Sequence, residues 1–456
     1  MKTARTQGQN SMGRVATAGC VGTTIEYYDY FIYGTAAALV FPTLFFPALG
    51  DTAGTVASFA TFAVAFVARP LGAIIFGHFG DKLGRKHTLI TTLLLMGVAT
   101  VAIGLLPTAD TIGVAAPIAL VVLRFLQGLA VGGEWAGANL LTAEYAPVGR
   151  RGFYAVFPQL GGSIGFALSS ATFVASDFLL GSTDGAFMSY GWRIPFLASA
   201  LLVMLGLWVR GTIDETPVFK AERDKLHTAP SGSPFAGVLR DQWREVILAA
   251  GLMTGQFAMF YMGAAYLTAY GTSAAGLDRT VVLILGIGAA VTSGFLVAVS
   301  GKLSDRFGRR SILIATSSTA LIWSLLLFPL IDTGSVFAFA AALIGTLALY
   351  GLAYGPVGAF LPELFATRYR YTGAGTGYNL GGIIGGAVPP ILAPILSNTF
   401  GSMAIGLMLA VLSAISIVST WALKETSDRR SLHDRDLGSV PARAVHESGK
   451  VPTQTN

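Results

Sequence analysis

The sequence predicts an all-α membrane protein, with twelve transmembrane helices in two six-helix pseudo-repeats. Three observations carry that prediction. Only 12% of the 456 residues are charged and 53% are hydrophobic, about half the charge that a soluble chain of this length carries. Apolar stretches recur about every 30 to 40 residues, and twelve spans of about 20 residues would use about 240 of the chain. Landmarks of the first half return in the same order in the second.

In chain order the spans are expected at 15–40, 54–77, 88–106, 113–142, 153–176, 192–209, 246–270, 280–300, 311–331, 335–361, 373–397 and 402–423. Span 1 does not read as a signal peptide, because Glu26 and Asp29 interrupt its centre and no small-residue cleavage pattern follows. The longest polar connection lies between spans 6 and 7, with Pro217, Pro230, Pro234 and the mixed-charge run KAERDK at 220–225. The expected organisation is a cytoplasmic N-terminus (1–14), a six-helix bundle (15–210), a cytoplasmic central loop (211–245), a second six-helix bundle (246–423) and a cytoplasmic tail (424–456). That tail is polar, lacks heptads and is expected to be disordered.

Charge placement sets the orientation. With both termini cytoplasmic, 26 of the 30 Lys and Arg residues fall in cytoplasmic segments, Arg69 and Arg124 fall inside spans, and Arg193 and Arg279 remain outside. This positive-inside bias accounts for the basic pI and leaves nucleic-acid binding without support. The location implied is the cell (inner or plasma) membrane, crossed many times. The single cysteine, Cys20, excludes an intramolecular disulfide and a Cys-based metal site. The five histidines lie outside the apolar runs. No metal and no cofactor are expected.

The internal repeat rests on three pairs. GHFGDKLGRK at 77–86 returns as GKLSDRFGRR at 301–310; Glu144 with Arg150 and Arg151 returns as Glu363 with Arg368 and Arg370; Glu215-Thr216 returns as Glu425-Thr426. Parallel repeats of this kind build a large class of secondary transporters, with the substrate site between the halves. In the paired loops, Gly77 and Gly301 are read as the turn glycines. Asp81 and Asp305 follow four residues on, then the cations Arg85 and Lys86, and Arg306 and Arg309. Carboxylate and cations together make a breakable latch at the membrane surface, or, more plainly, a topology anchor.

GHFGDKLGRK resembles the signature loop of the major facilitator superfamily. IEYYDYFIYG (25–34), FVARPLGAIIFGHFGDKLGRK (66–86), RFLQGLAVGGEWAGA (124–138), WRIPFL (192–197), DETPVF (214–219) and RYRYTGAGTGYNLGGIIGG (368–386) look like landmarks of its metabolite:H⁺ symporter family. Within that family the RYRYTGAGTGY stretch and the loop lengths look most like members carrying shikimate and other aromatic or carboxylic acids. The resemblance implies the major facilitator fold.

Five charges lie inside spans: Glu26, Asp29, Arg69, Arg124 and Glu134, all in the first half. Ionisable groups in a bilayer are costly and mark function by default. Glu26, Asp29, Tyr30 and Tyr33 share one face of span 1, and Arg124, Gln127, Gly128, Val131 and Trp135 one face of span 4. Paired Asp29 and Arg124 would offset each other's burial, and protonating Asp29 would release Arg124 for an anionic substrate. A permanent structural pair is the other reading. The YD of span 1 and the Arg opening the span 4 motif resemble the proton-coupling pair of superfamily sugar symporters. Glu26 is either a second protonation site or an accessory partner. Arg69 is a substrate contact or a packing partner, and Glu134 is expected to make a gating hydrogen bond.

Neutral recognition groups would come from Gln256, Tyr261 and Tyr266 on span 7, Tyr350 and Tyr354 on span 10, Tyr378 and Asn379 on span 11, and Gln159 on span 5. The ladder Gly373, Gly377, Gly381, Gly385 signals dense packing of span 11. FPQLGG at 157–162 has Phe157 where proton-driven exporters of the superfamily carry glycine. The expected function is therefore proton-coupled import of a small organic acid such as shikimate, an aromatic acid or a dicarboxylate. The alternatives are a proline/betaine-type osmolyte symporter, efflux of toxic compounds, and a non-transporting sensor. An enzyme is not expected. The partners are a small-molecule substrate, a proton and membrane lipid, and nothing requires more than a monomer.

Overall fold

Long apolar runs separated by glycine, proline and charged turns become helices almost throughout. The computed structural model describes residues 12–426 apart from 84, 133, 147–149, 181–183, 212–233 and 367–368. The first six membrane helices are α1 (Met12–Leu39), α2 (Gly50–Leu83), α3 (Arg85–Leu105), α4 (Ala115–Val131, resumed at Glu134–Tyr145), α5 (Arg151–Leu179) and α6 (Arg193–Gly211). The second six begin with α7 (Trp243–Tyr261, continued at Leu267–Ser273), α8 (Arg279–Phe307) and α9 (Arg309–Ile331). They end with α10 (Val336–Leu364), α11 (Arg370–Gly381, continued at Val388–Phe400) and α12 (Met403–Ala422). α7 and α11 each widen into a π-helical turn mid-course, at Met262–Tyr266 and Gly382–Ala387.

Of the described helices, nine are long and apolar enough to cross a membrane by length and composition. The shorter apolar segments Ile90–Leu105 of α3 and Ala115–Val131 of α4 and the more polar α1 complete the twelve. α1 carries Glu26 and Asp29 within its 28 residues, and their burial is the first sign of a polar interior.

The surface inverts the soluble pattern. Val98, Leu201, Val291, Phe295, Ile322 and Val418 are exposed, while Glu26, Asp29, Arg69 and Arg124 are buried. That is the arrangement lipid favours and water does not. Trp208, Trp243 and Trp421 stand exposed at the end of the molecule that carries the described chain ends, where amphipathic rings suit a headgroup layer.

The two halves meet along α5 against α8 and α10, α2 against α11, α1 against α7, and α4 against α10 and α11. Small residues set the closeness. A Cβ on Gly385 would lie 2.0 Å from the Thr254 carbonyl oxygen of α7, and one on Gly132 would lie 2.0 Å from that of Arg69. The glycine ladder of α11 therefore packs against α7, at Gly377, Gly381 and Gly385; Gly373 instead abuts Phe365.

One expectation needs correcting here. Gly301 is not the turn glycine of the second loop, because α8 runs on through Asp305 to Phe307 and the turn is made by Gly308 at φ +88°. Gly301 is small for another reason: a Cβ there would lie 2.1 Å from Val156 Cγ2 of α5. In the first loop α2 likewise continues through Gly77 and Asp81 to Leu83. The side chains of Asp81, Arg85 and Lys86 lie outside the described residues, as do 212–233 of the central loop and the tail from 427.

The two cations that broke the charge bias have structural work at the far end. Arg193 donates to the carbonyls of Gly104 and Leu106, both at 2.7 Å, and closes the end of α3. Arg279 pairs with Asp177 of α5 at 2.5 Å, and Thr280 donates to the same carboxylate at 2.5 Å.

Candidate functional site

Successive turns of α1 aim Glu26, Asp29, Tyr30 and Tyr33 inward, all buried. Asp29 receives two hydroxyls, one from Thr100 of α3 at 2.9 Å and one from Ser199 of α6. It makes no ion pair with Arg124, which corrects the expected direct contact. A relay joins them instead. Arg124 Nη1 donates to Gln127 Oε1 at 3.0 Å, Gln127 Nε2 donates to Thr100 Oγ1 at 2.7 Å, and Thr100 reaches Asp29 Oδ2.

Arg124 is held by ring faces. Its guanidinium lies 4.2 Å from the centroid of Tyr30, 4.0 Å from Tyr33 and 5.1 Å from Phe62. Arg69 of α2 approaches the same Tyr30 ring at 4.7 Å and Phe66 at 4.8 Å. Cation–π contact stabilises a desolvated guanidinium by about 2 kcal/mol but leaves its N–H groups unsatisfied. Arg69 Nε and Arg124 Nε and Nη2 have no hydrogen-bond partner among the described residues, and neither do the hydroxyls of Tyr261 and Tyr350. Glu26, Asp29, Tyr30, Arg124, Gln127 and Gly128 line a cavity there with room for about one water.

The second half supplies neutral groups. Tyr261 packs edge-to-face against Tyr30, Phe62 and Phe66. Tyr354 and Tyr378 form a triangle of hydroxyls with Tyr27 of α1, with edges of 3.2, 2.7 and 2.9 Å. Trp135 of α4 stacks on Tyr378 at 3.7 Å and donates to Gln159 at 3.0 Å, and Gln159 donates to the Tyr354 carbonyl at 3.2 Å. Asn379 donates to the Gly132 carbonyl at 3.3 Å.

Several expected residues do other things. Gln256 points away from the centre and donates to Ser317 of α9 at 3.1 Å. Tyr33 presents its ring to Arg124, but its hydroxyl is used by Thr61 at 2.7 Å. Arg306 is exposed, lies over Phe307, and makes no ion pair among the described residues. Glu134 is buried at the start of the second segment of α4. Asp305 accepts from the backbone N–H groups of Gly152 and Phe153 at 2.9 and 3.1 Å, so a carboxylate of the second half caps a helix of the first. Arg309 bridges Asp305 at 3.1 Å and Glu363 at 3.0 Å, and Glu363 accepts from Thr426 at 2.5 Å.

Sequence reasoning missed Thr100, Ser199, Tyr27 and Asp177. It noted Glu363 only as a repeat landmark. The duplicated Glu363 and Glu425 were the available signal for the latch, since Glu425 caps α9 through the N–H groups of Arg309 and Arg310. For Thr100 and Ser199 there was no signal.

Both ends of the seam between the halves are closed among the described residues. Asp177 with Arg279 and Asn398 with Thr52 close the far end; Asp305 with α5 and Asn379 with Gly132 close the near one. Twelve helices in two halves, closed over a small charged chamber, define a membrane transporter caught occluded. The chain belongs to the Major Facilitator Superfamily, whose family model matches residues 22–386. It is 44% identical to the inner membrane metabolite transport protein YhjE of Escherichia coli (strain K12), over 91% of this chain and 95% of that protein. It is 37% identical to the shikimate transporter of the same organism (91% and 94% covered) and 31% identical to its proline/betaine transporter (91% and 84%). Among solved structures, the D-xylose-proton symporter superposes with a TM-score of 0.71 over 92% of this chain and 99% of that one, at 16% identity, and so shares the fold. These relatives are transporters, and this chain is a multi-pass membrane transporter, not an enzyme.

Proposed function

We propose that the protein is a proton-coupled symporter that imports a small organic acid, with both termini cytoplasmic. The observation that carries this reading is the buried pair Arg69 and Arg124. Their guanidiniums converge on one tyrosine ring beside the interface between the halves, and each keeps an N–H group with no hydrogen-bond partner among the described residues. A carboxylate satisfies such groups; an ammonium does not. The aromatic walls suit a compact ring or carbon skeleton.

Asp29 is the proton carrier in this reading. Ionised, it anchors the relay through Thr100 and Gln127 to Arg124; protonated, it releases Arg124 for the substrate carboxylate. One proton entering with one monoanion makes the cycle electroneutral, so the pH gradient drives it. The latch at Asp305 and the clasp at Asp177 then open in alternation.

The proline/betaine reading has one observation in its favour, the aromatic cluster of Tyr30, Phe62, Phe66 and Tyr261, which a ligand cation could enter. Against it, arginines already occupy the Tyr30, Phe62 and Phe66 rings. The test uses proteoliposomes containing only this protein and a trapped pH dye under an inward proton gradient. Shikimate, protocatechuate, 2-oxoglutarate, citrate, proline and betaine are added singly. Internal acidification with a carboxylic acid is expected; a response confined to proline or betaine reverses the choice, and silence across the panel contradicts symport.

A further inference from the structure

The polar chain between Asp29 and Arg124 contains one group whose bonding must change when a proton binds Asp29 at Oδ2. Thr100 is fully buried on α3. Its Oγ1 has three hydrogen-bonding neighbours: Asp29 Oδ2 at 2.9 Å, the Met96 carbonyl at 2.9 Å and Gln127 Nε2 at 2.7 Å. A hydroxyl has one proton to give and two lone pairs to receive with. Gln127 Nε2 only donates and the Met96 carbonyl only accepts. The single Thr100 proton therefore goes either to Asp29 or to Met96.

The geometry points to Thr100 as the positioning residue that couples proton binding at Asp29 to the release of Arg124. This inference rests on the symport reading above. With Asp29 ionised, Thr100 donates to the carboxylate. Every bond then runs one way, from Arg124 through Gln127 and Thr100 to the anion, and bonds aligned in this way reinforce one another. With the proton on Asp29 Oδ2, the carboxyl donates to Thr100, whose own proton turns back to Met96. Thr100 now receives from both sides, the aligned chain is broken, and Gln127 holds Arg124 less strongly. No covalent bond changes except the O–H that Asp29 gains.

The surroundings favour this role. Glu26, Tyr28 and Tyr30 on α1 and Arg124 on α4 are the titratable or charged groups around Asp29 among the described residues. α3 and α6 bring only the hydroxyls of Thr100 and Ser199 to its carboxylate. Ser199 reaches Oδ1 rather than Oδ2, while Gln127 donates to Thr100. Among the described residues only Thr100 links the carboxylate to the arginine.

The test compares Thr100→Val, which keeps the shape and removes the hydroxyl, with Thr100→Ser, which restores it. Both are measured in proteoliposomes with whichever substrate the wild type carries. In Thr100→Val, gradient-driven uptake is expected to fall about tenfold, the scale of one buried hydrogen bond to a charged group. Substrate exchange without a gradient falls less and loses its pH dependence. Thr100→Ser recovers both the uptake and the pH profile. A Thr100→Val protein with the wild-type pH profile and proton stoichiometry overturns the coupling role while leaving symport intact. A wild type that moves no protons with substrate overturns symport itself, a distinguishable result. If Thr100→Val does not fold, infrared spectroscopy of the wild type decides. The protonated-carboxyl band that disappears in Asp29→Asn must sit where a hydrogen-bond-donating carboxyl absorbs, and a band typical of a free carboxyl contradicts the inference.

Discussion

The two halves share a plan and divide the labour. The first holds Glu26, Asp29, Arg69 and Arg124 in mid-membrane, where each is buried. The buried charges of the second half, Arg309, Glu363 and Arg370, all lie at the end that carries the chain ends. At the centre it offers Tyr261, Tyr350, Tyr354 and Tyr378. The loop motif stands in both copies, while the central charges lie in one. In the proposed cycle, the half without central charges moves across the chamber without dragging an uncompensated ion through it.

The largest effect expected from this division is at Arg124. Arg124→Gln removes the cation but keeps a polar side chain, and the apparent affinity for a carboxylate substrate should fall about a hundredfold, or about 3 kcal/mol. Counterflow measurements of KM would show it. An unchanged KM would remove Arg124 from carboxylate recognition, and the same result in Arg69→Gln would move that recognition into the second half and break the comparison.

The ends of α5 offer a second, smaller test. Asp305→Asn removes the charge that caps α5 at one end, and Asp177→Asn removes the partner of Arg279 at the other. Each should shift the conformational balance by about tenfold, the scale of a charge-assisted hydrogen bond, and in opposite directions. The reporter is the labelling rate of Tyr371→Cys in a Cys20→Ser background; Tyr371 stands in the first turn of α11 at the near end of the seam, where a Cβ on Gly137 of α4 would lie 3.7 Å from its ring. That rate should rise in Asp305→Asn and fall in Asp177→Asn; shifts of the same sign would deny that the two clasps oppose each other. The smallest effect belongs to Arg306→Gln. An exposed cation outside the latch should leave uptake within about twofold, although it lies in the repeated loop.

Much of this architecture is legible in sequence, because a bilayer penalises charge so heavily. Asp29, Arg69 and Arg124 stand out among apolar neighbours, and the helical spacing assigns each a face. The relay was not legible. Threonines and serines in apolar helices commonly donate back to the preceding turn, as Thr254 does to Ala250 and Thr346 to Ala342. Nothing in composition separates Thr100 from those. Spacing along one helix also gives no gap between helices, so the missing Asp29–Arg124 contact and the outward turn of Gln256 appear only in three dimensions. Gly301 shows a related limit: a glycine spared for a neighbouring helix looks the same in sequence as one spared for a turn.

Asp29 is where the proposed mechanism is most exposed, and one paired measurement addresses it. Gradient-driven uptake and gradient-free exchange would be followed in wild-type and Asp29→Asn proteoliposomes with the same substrate. Uptake in Asp29→Asn should fall to background while exchange persists, because the amide keeps the shape but cannot carry the proton. Proton-coupled accumulation at the wild-type level in that variant would remove Asp29 from the mechanism.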